Sequence, residues 1–187
     1  VLLFAALLLL PLAGIAQKRA ARIQLEKALA NPEVTKKLVL KNAKLKEIPS
    51  EVFLLTNLHT LDLSRNKIKV IPPEIEKLEK LENLIINKNR IEVLPKELFS
   101  LTRLRQLIIG NNNIEIIPPE IENLEFLEVL DAWGNFIEFL PQEIGNLKRL
   151  RKIDLRVNPI NDETQEQIKN LTPGVSSFFS MQCNCGR

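Results

Sequence analysis

Residues 58–66 read LHTLDLSRN, and the same frame returns at 81–89 (LENLIINKN), 104–112 (LRQLIIGNN), 127–135 (LEVLDAWGN) and 150–158 (LRKIDLRVN). Successive copies are 23 residues apart. Count the first leucine as slot 1. Slot 4 then holds Leu61, Leu84, Leu107, Leu130 and Ile153, slot 6 holds Leu63, Ile86, Ile109, Ala132 and Leu155, and slot 9 holds Asn66, Asn89, Asn112, Asn135 and Asn158. Self-similarity at a fixed period of this length marks a stacked-repeat architecture. One copy breaks the pattern. "DAWGN" (131–135) puts the only tryptophan, Trp133, where the other copies carry Ser64, Asn87, Gly110 and Arg156.

The frame continues past the asparagine with Ile68, Ile91, Ile114, Ile137 and Ile160 at slot 11. Ile71-Pro72, Leu94-Pro95, Ile117-Pro118 and Leu140-Pro141 follow, then Ile75, Leu98, Ile121 and Ile144. An imperfect first copy starts near Thr35, with Ala43 in its asparagine slot. This pattern resembles the leucine-rich repeat family over roughly residues 35–171, and the "IPPEI" form resembles its 23-residue, Ras-group type, known from intracellular scaffolds and bacterial proteins. The resemblance implies an α/β solenoid of about six repeats: a short curved horseshoe with a parallel sheet on the concave face and short helices or 3-10 turns on the convex one.

Elementary chemistry points the same way. In LHTLDLSRN, Leu61 and Leu63 face one side and Thr60, Asp62 and Ser64 the other, as strand pleating requires. A unit this short cannot bury its leucines alone, so stacking supplies the stability. Each slot-9 asparagine can bond backbone groups of its own turn and of the next repeat that burial would otherwise leave unpaired. The slot-15 proline suits the first turn of a short helix, where its missing N–H is no loss.

Four segments are expected. Residues 1–16, VLLFAALLLLPLAGIA, carry no charge and end in small residues, as a signal peptide does. The match lacks a basic leading region, and Lys18, Arg19 and Arg22 follow the apolar run, which favours an uncleaved anchor as the alternative. Residues 17–34 read as a capping helix ended by Asn31-Pro32. Residues 35–171 are the repeat domain, whose last element, NDETQEQIKNL, is a helix capped by Asn161 or Asp162. Residues 172–187 hold a closing strand, VSSFF, and a tail with Cys183 and Cys185 that reads as free or loosely paired thiols. The chain is expected to be exported if 1–16 is a signal peptide and membrane-anchored otherwise, and to be a monomer.

The formal charge of +3 is unevenly placed: residues 17–46 carry nine Lys/Arg against two acids, and the rest is net acidic. A basic end can meet an anionic membrane or an acidic partner, although a solvated capping helix and edge strand is the simpler account. Nothing interleaves aromatics with the basic residues, so nucleic acid is not an expected partner. A single histidine, His59, excludes multi-histidine metal sites and most histidine triads, and no glycine-rich phosphate loop is present. Asp131 and Asp154 share slot 5 on adjacent strands, but Lys152 and Arg156 make a charged face of ion pairs the simpler account. No enzyme activity, cofactor or metal is expected.

What remains is the concave grid of slots 3, 5 and 7. Its centre is apolar (Ile85, Ile108, Val129, Trp133), with Asp131, Asp154, Lys152 and Arg156 on one flank and Lys37, Lys41, Asp62 and Arg65 on the other. Gly110, beside Trp133 on the neighbouring strand, leaves room for the indole. An aromatic among aliphatics with a charged rim has the anatomy of a binding hot spot for a protein or peptide. The competing role for Trp133 is packing over the small Ala132. A surface protein that adheres through its basic N-terminal end is the alternative function.

Overall fold

In the computed structural model, which describes residues 2–180 and side chains from 16 onward, slots 3–5 of every repeat form a three-residue strand. The strands are β1 (Lys37–Val39), β2 (Thr60–Asp62), β3 (Asn83–Ile85), β4 (Gln106–Ile108), β5 (Val129–Asp131) and β6 (Lys152–Asp154). They pair in parallel and in sequence order, each slot opposite the same slot of its neighbour, as Leu84 is opposite Leu107. The spacing seen in the sequence is therefore the sheet register. A seventh strand, β7 (Ser176–Phe178), adds to β6 within the expected VSSFF segment and places Phe178 opposite Asp154.

The slot-4 and slot-6 aliphatics form one continuous core together with residues from the convex side; Leu61, Leu84, Leu107 and Leu130 are all fully buried. The convex segments are 3-10 turns, at Ser50–Leu54, Pro73–Lys77, Lys96–Ser100, Pro119–Asn123 and Gln142–Asn146. The slot-15 prolines sit one residue earlier than expected, at the N-cap instead of inside the first turn. Five residues per turn leave no length for a full α-helix before the next buried leucine.

The asparagine ladder has a definite direction. Asn89 accepts from Ile68 N–H (3.0 Å) and donates to the carbonyls of Leu63 (3.0 Å) and Ile86 (2.9 Å). Asn112, Asn135 and Asn158 repeat this pattern. Asn66 reaches back to the backbone N–H of Ala43 and Leu45, so the imperfect first repeat is tied in from its neighbour. The expected bond to the next repeat is thus a bond to the preceding one. Slot 9 lies after the strand, where the turn faces the carbonyl left by the repeat before it.

Slot 8 adopts left-handed backbone in every copy: Asn42, Arg65, Lys88, Asn111 and Val157 have φ of 56–58°, and Gly134 has 66°. Gly134 is the residue for which this conformation carries no steric cost.

The ends are closed by helices. α1 runs unbroken over Leu2–Leu29, so the backbone of the segment read as a signal peptide continues into the capping helix. Ala21 and Ala28 are buried against the first repeat, with Leu25 and Leu29 packed beside them. Thr35 Oγ1 donates to the carbonyls of Ala28 and Asn31, closing the helix end. Among the described residues no helix is long and apolar enough to cross a membrane. At the other end, α2 (Asp162–Leu171) has Asn161 as its N-cap, accepting from Thr164 N–H at 2.8 Å. Cys183 and Cys185 lie outside the described residues.

Candidate binding surface

Trp133 is half-buried, and its indole lies across Gly110. A Cβ on Gly110 would collide with the ring at Cδ1, stand 2.5 Å from Nε1 and stand 2.9 Å from Asp131 Oδ1. Gly110 is itself buried with ordinary backbone angles, so it is needed for close approach and not for conformation. The backbone holds this arrangement, with Asn111 N–H donating to the Trp133 carbonyl at 2.6 Å. Ala132 is fully buried on the opposite side of the sheet, so the ring packs over Gly110 instead of over Ala132. Ile85, Ile108 and Val129 are half-buried around it, one per strand on β3, β4 and β5. Lys88 Nζ lies 5.9 Å from the ring centroid, within reach of its negative face.

The two aspartates are opposite each other on β5 and β6 but differ in state. Asp154 is only 2% exposed and is gripped by Arg156, with Nε to Oδ1 at 2.9 Å and Nη2 to Oδ2 at 2.6 Å. Burial works to raise its pKa, but the hydrogen bonds from Arg156 outweigh that and hold it below the usual carboxylate range. Asp131 goes the other way. Burial, then the neighbouring Asp154 charge, push it up, and the Trp133 backbone N–H, Lys152 and Arg156 offset this only in part. Its Oδ1 is buried without a hydrogen-bond partner.

These opposite states make a prediction. The fold disfavours ionised Asp131, so the ionised group subtracts from stability above its raised pKa, and the penalty fades as pH falls through it. Asp131→Asn is therefore expected to have a higher urea midpoint than the wild type at pH 7, with the gap closing toward pH 4. A variant less stable at pH 7 would show that the carboxylate is stabilising as it stands.

The expected rim is more strongly paired than the sequence indicates. Asp62 Oδ1 accepts from Ser64 N–H (2.9 Å), and Ser64 is 3% exposed. Lys152 and Arg156 sit over the Phe178 ring at 5.3 and 5.9 Å, so the closing strand completes that flank. His59 Nδ1 bonds the Asn57 carbonyl at 2.9 Å, a local packing role. Among the described residues no group of three His, Cys, Asp or Glu could hold a metal ion. A cleft lined by Lys18, Arg22, Leu25, Lys44 and Lys46 lies away from the concave face, between α1 and the first repeat.

Sequence reasoning passed over one feature. Slot 13 holds Val70, Val93, Ile116 and Phe139, which are 55–72% exposed, and Phe136 in slot 10 is 57% exposed. The signal was present as an apolar residue recurring every 23 positions just before the buried Ile/Leu-Pro.

Comparisons with known proteins agree with this geometry. Residues 34–84 match a family model described as "Leucine rich repeat", and residues 92–173 match one described as "Leucine-rich repeat region". No curated protein matches the chain. Among solved structures, a leucine-rich repeat protein of Leptospira interrogans is 34% identical over 81% of this chain, with a TM-score of 0.76. An internalin of Listeria monocytogenes is 29% identical over 79%, with a TM-score of 0.69. The leucine-rich repeat ectodomain of a membrane receptor kinase from Arabidopsis thaliana, in complex with Casparian strip integrity factor 2, is 27% identical over 81%, with a TM-score of 0.67. This chain spans 38%, 42% and 18% of those three chains.

Proposed function

We propose, from the premise that this chain belongs to the leucine-rich repeat family, that it is a non-enzymatic interaction module whose concave face binds a protein or peptide around Trp133. Leucine-rich repeat domains are typically interaction modules, and the Arabidopsis ectodomain is in complex with another factor. The observation that carries the reading is the half-buried indole held over Gly110. A preorganised aromatic anchor loses little freedom on binding. Ile85, Ile108 and Val129 supply the apolar surround, and Arg156, oriented by its bonds to the buried Asp154, supplies a charged rim.

The test is paired affinity capture with the full chain, wild type and Trp133→Ala, followed by titration of whatever the wild type retains. Affinity is expected to fall at least about tenfold, the order seen when an aromatic anchor is truncated, with the melting temperature little changed. Gly110→Ala, which displaces the ring without removing it, is expected to weaken the same partner. Equal retention by wild type and Trp133→Ala would refute the concave site.

A second reading rests on the cleft at the N-terminal end, where Lys18, Arg22, Lys44 and Lys46 share the walls with Glu26, Glu47 and Glu51, and Arg22 is paired with Glu26. In it the chain is an exported surface protein that adheres through this end. Binding to anionic vesicles that falls with salt and ignores Trp133→Ala would select it. Export itself belongs to this proposal, and sequencing the N-terminus of the mature protein tests it.

A further inference from the structure

The C-terminal part of the exposed slot-13 row, Ile116 and Phe139, lies in a charge environment of its own. Between Arg105 and Lys148 the chain has no basic residue and eight acidic ones. Of these eight, only Glu128 is in an ion pair among the described residues. The row begins beside a base, at Lys69-Val70, but from there on acid and apolar residue stand side by side, as Glu92-Val93, Glu115-Ile116 and Glu138-Phe139, and all six are exposed. Phe136 N–H donates to the Ile114 carbonyl of the preceding repeat at 2.9 Å. That bond sets the Phe136 backbone against the preceding repeat just before Glu115 and Ile116. Slot 10 carries Lys67, Arg90 and Asn113 in earlier copies and becomes aromatic only here.

Val93, Ile116 and Phe139 in one row, with the exposed Phe136 three residues before Phe139, exceed what scattered surface hydrophobes explain. The chemistry of what would cover them is constrained. A neutral apolar partner would bury Glu115 and Glu138 without counter-charges, at a high desolvation cost. A partner with cations beside its apolar residues satisfies both rows. The spacing also fits a helix: one side chain per 5.4 Å turn lies close to the strand-to-strand spacing of about 4.8 Å. We infer that this acid-lined apolar edge, formed by Val93, Ile116, Phe136 and Phe139, is a second docking surface, separate from the concave face, for a basic amphipathic helix of a partner protein. Phe136 and Phe139 anchor the apolar face. Glu115 and Glu138 pair with its flanking lysines or arginines and fix its orientation.

The test uses the full chain and two labelled synthetic helical peptides that share a leucine face, one flanked by lysines and the other by glutamates, read by fluorescence anisotropy. The lysine peptide is expected to bind and the glutamate peptide not to. Phe136→Ala with Phe139→Ala is expected to weaken binding about tenfold or more, and Glu115→Gln with Glu138→Gln to remove most of its salt dependence. Trp133→Ala is expected to leave it unchanged. All four edge side chains are exposed, so these variants keep the wild-type melting temperature. The inference is overturned if neither peptide binds, if both bind equally, or if the edge variants bind as the wild type does. Loss of lysine-peptide binding in Trp133→Ala alone would also overturn it, because it would move the site to the concave face.

Discussion

Asn112→Ala is expected to lower unfolding free energy by about 3 kcal/mol, read as a fall in the urea midpoint at constant slope. The Asn112 carbonyl is the acceptor for Ile91 N–H (3.1 Å), and its amide donates to Ile86 and Ile109 carbonyls (3.2 and 2.8 Å). Those carbonyls are shared: Ile86 also accepts from Asn89, and Ile109 also accepts from Asn135. Truncation thus leaves one N–H with no acceptor and two carbonyls with half their donors. A buried unpaired backbone group costs about 1–3 kcal/mol, and each lost bond about 1 kcal/mol more. Its neighbour Asn113 is exposed, so Asn113→Ala is the control and should fall within about 0.5 kcal/mol of the wild type. If both variants behave alike, water replaces the ladder bonds and the asparagines are not what ties the repeats together.

Leu107→Ala is expected to cost about 3–4 kcal/mol, the usual range for a leucine truncated in a core that cannot collapse around the cavity. Leu107 is fully buried at the centre of β4, between Leu84 and Leu130 on its neighbours. Stacked repeats gain stability mainly from nearest-neighbour interfaces. The loss therefore weakens both interfaces of the repeat that carries Gly110, and with them the floor under Trp133. A cost below about 1.5 kcal/mol would mean that the sheet closes over the gap.

The two positions also explain what could be read early. Leu107 and Asn112 were assigned to core and ladder from spacing alone, and the structure places both there. The direction of the asparagine bonds was not legible. Spacing identifies the residue that bonds across repeats, but whether it reaches forward or back depends on where the turn leaves the strand. The position of the Trp133 ring was legible because Gly110, 23 residues earlier, was the missing side chain in a regular grid. The slot-13 edge was visible as a recurrence and was passed over, because an apolar residue beside a buried Ile-Pro reads as more core. Its exposure follows from the backbone direction at that point, where two successive side chains, such as Glu115 and Ile116, both project outward.

By itself, the sequence determined the architecture, the parallel order of strands, their register and the identity of the buried ladder. All of these follow from short-range periodicity: one unit repeated at fixed length has only one way to stack so that every leucine is covered and every turn amide is paired. Only the tertiary structure decided how the concave charges divide. Asp131 and Asp154 are equivalent in the repeat, yet Asp154 is gripped by Arg156 and Asp131 keeps a buried oxygen without a donor beside Gly110. That difference depends on side chains reaching between strands, on the rings of Trp133 and Phe178, and on what each excludes from water. A period of 23 residues carries no information about those contacts, because they arise where the copies differ.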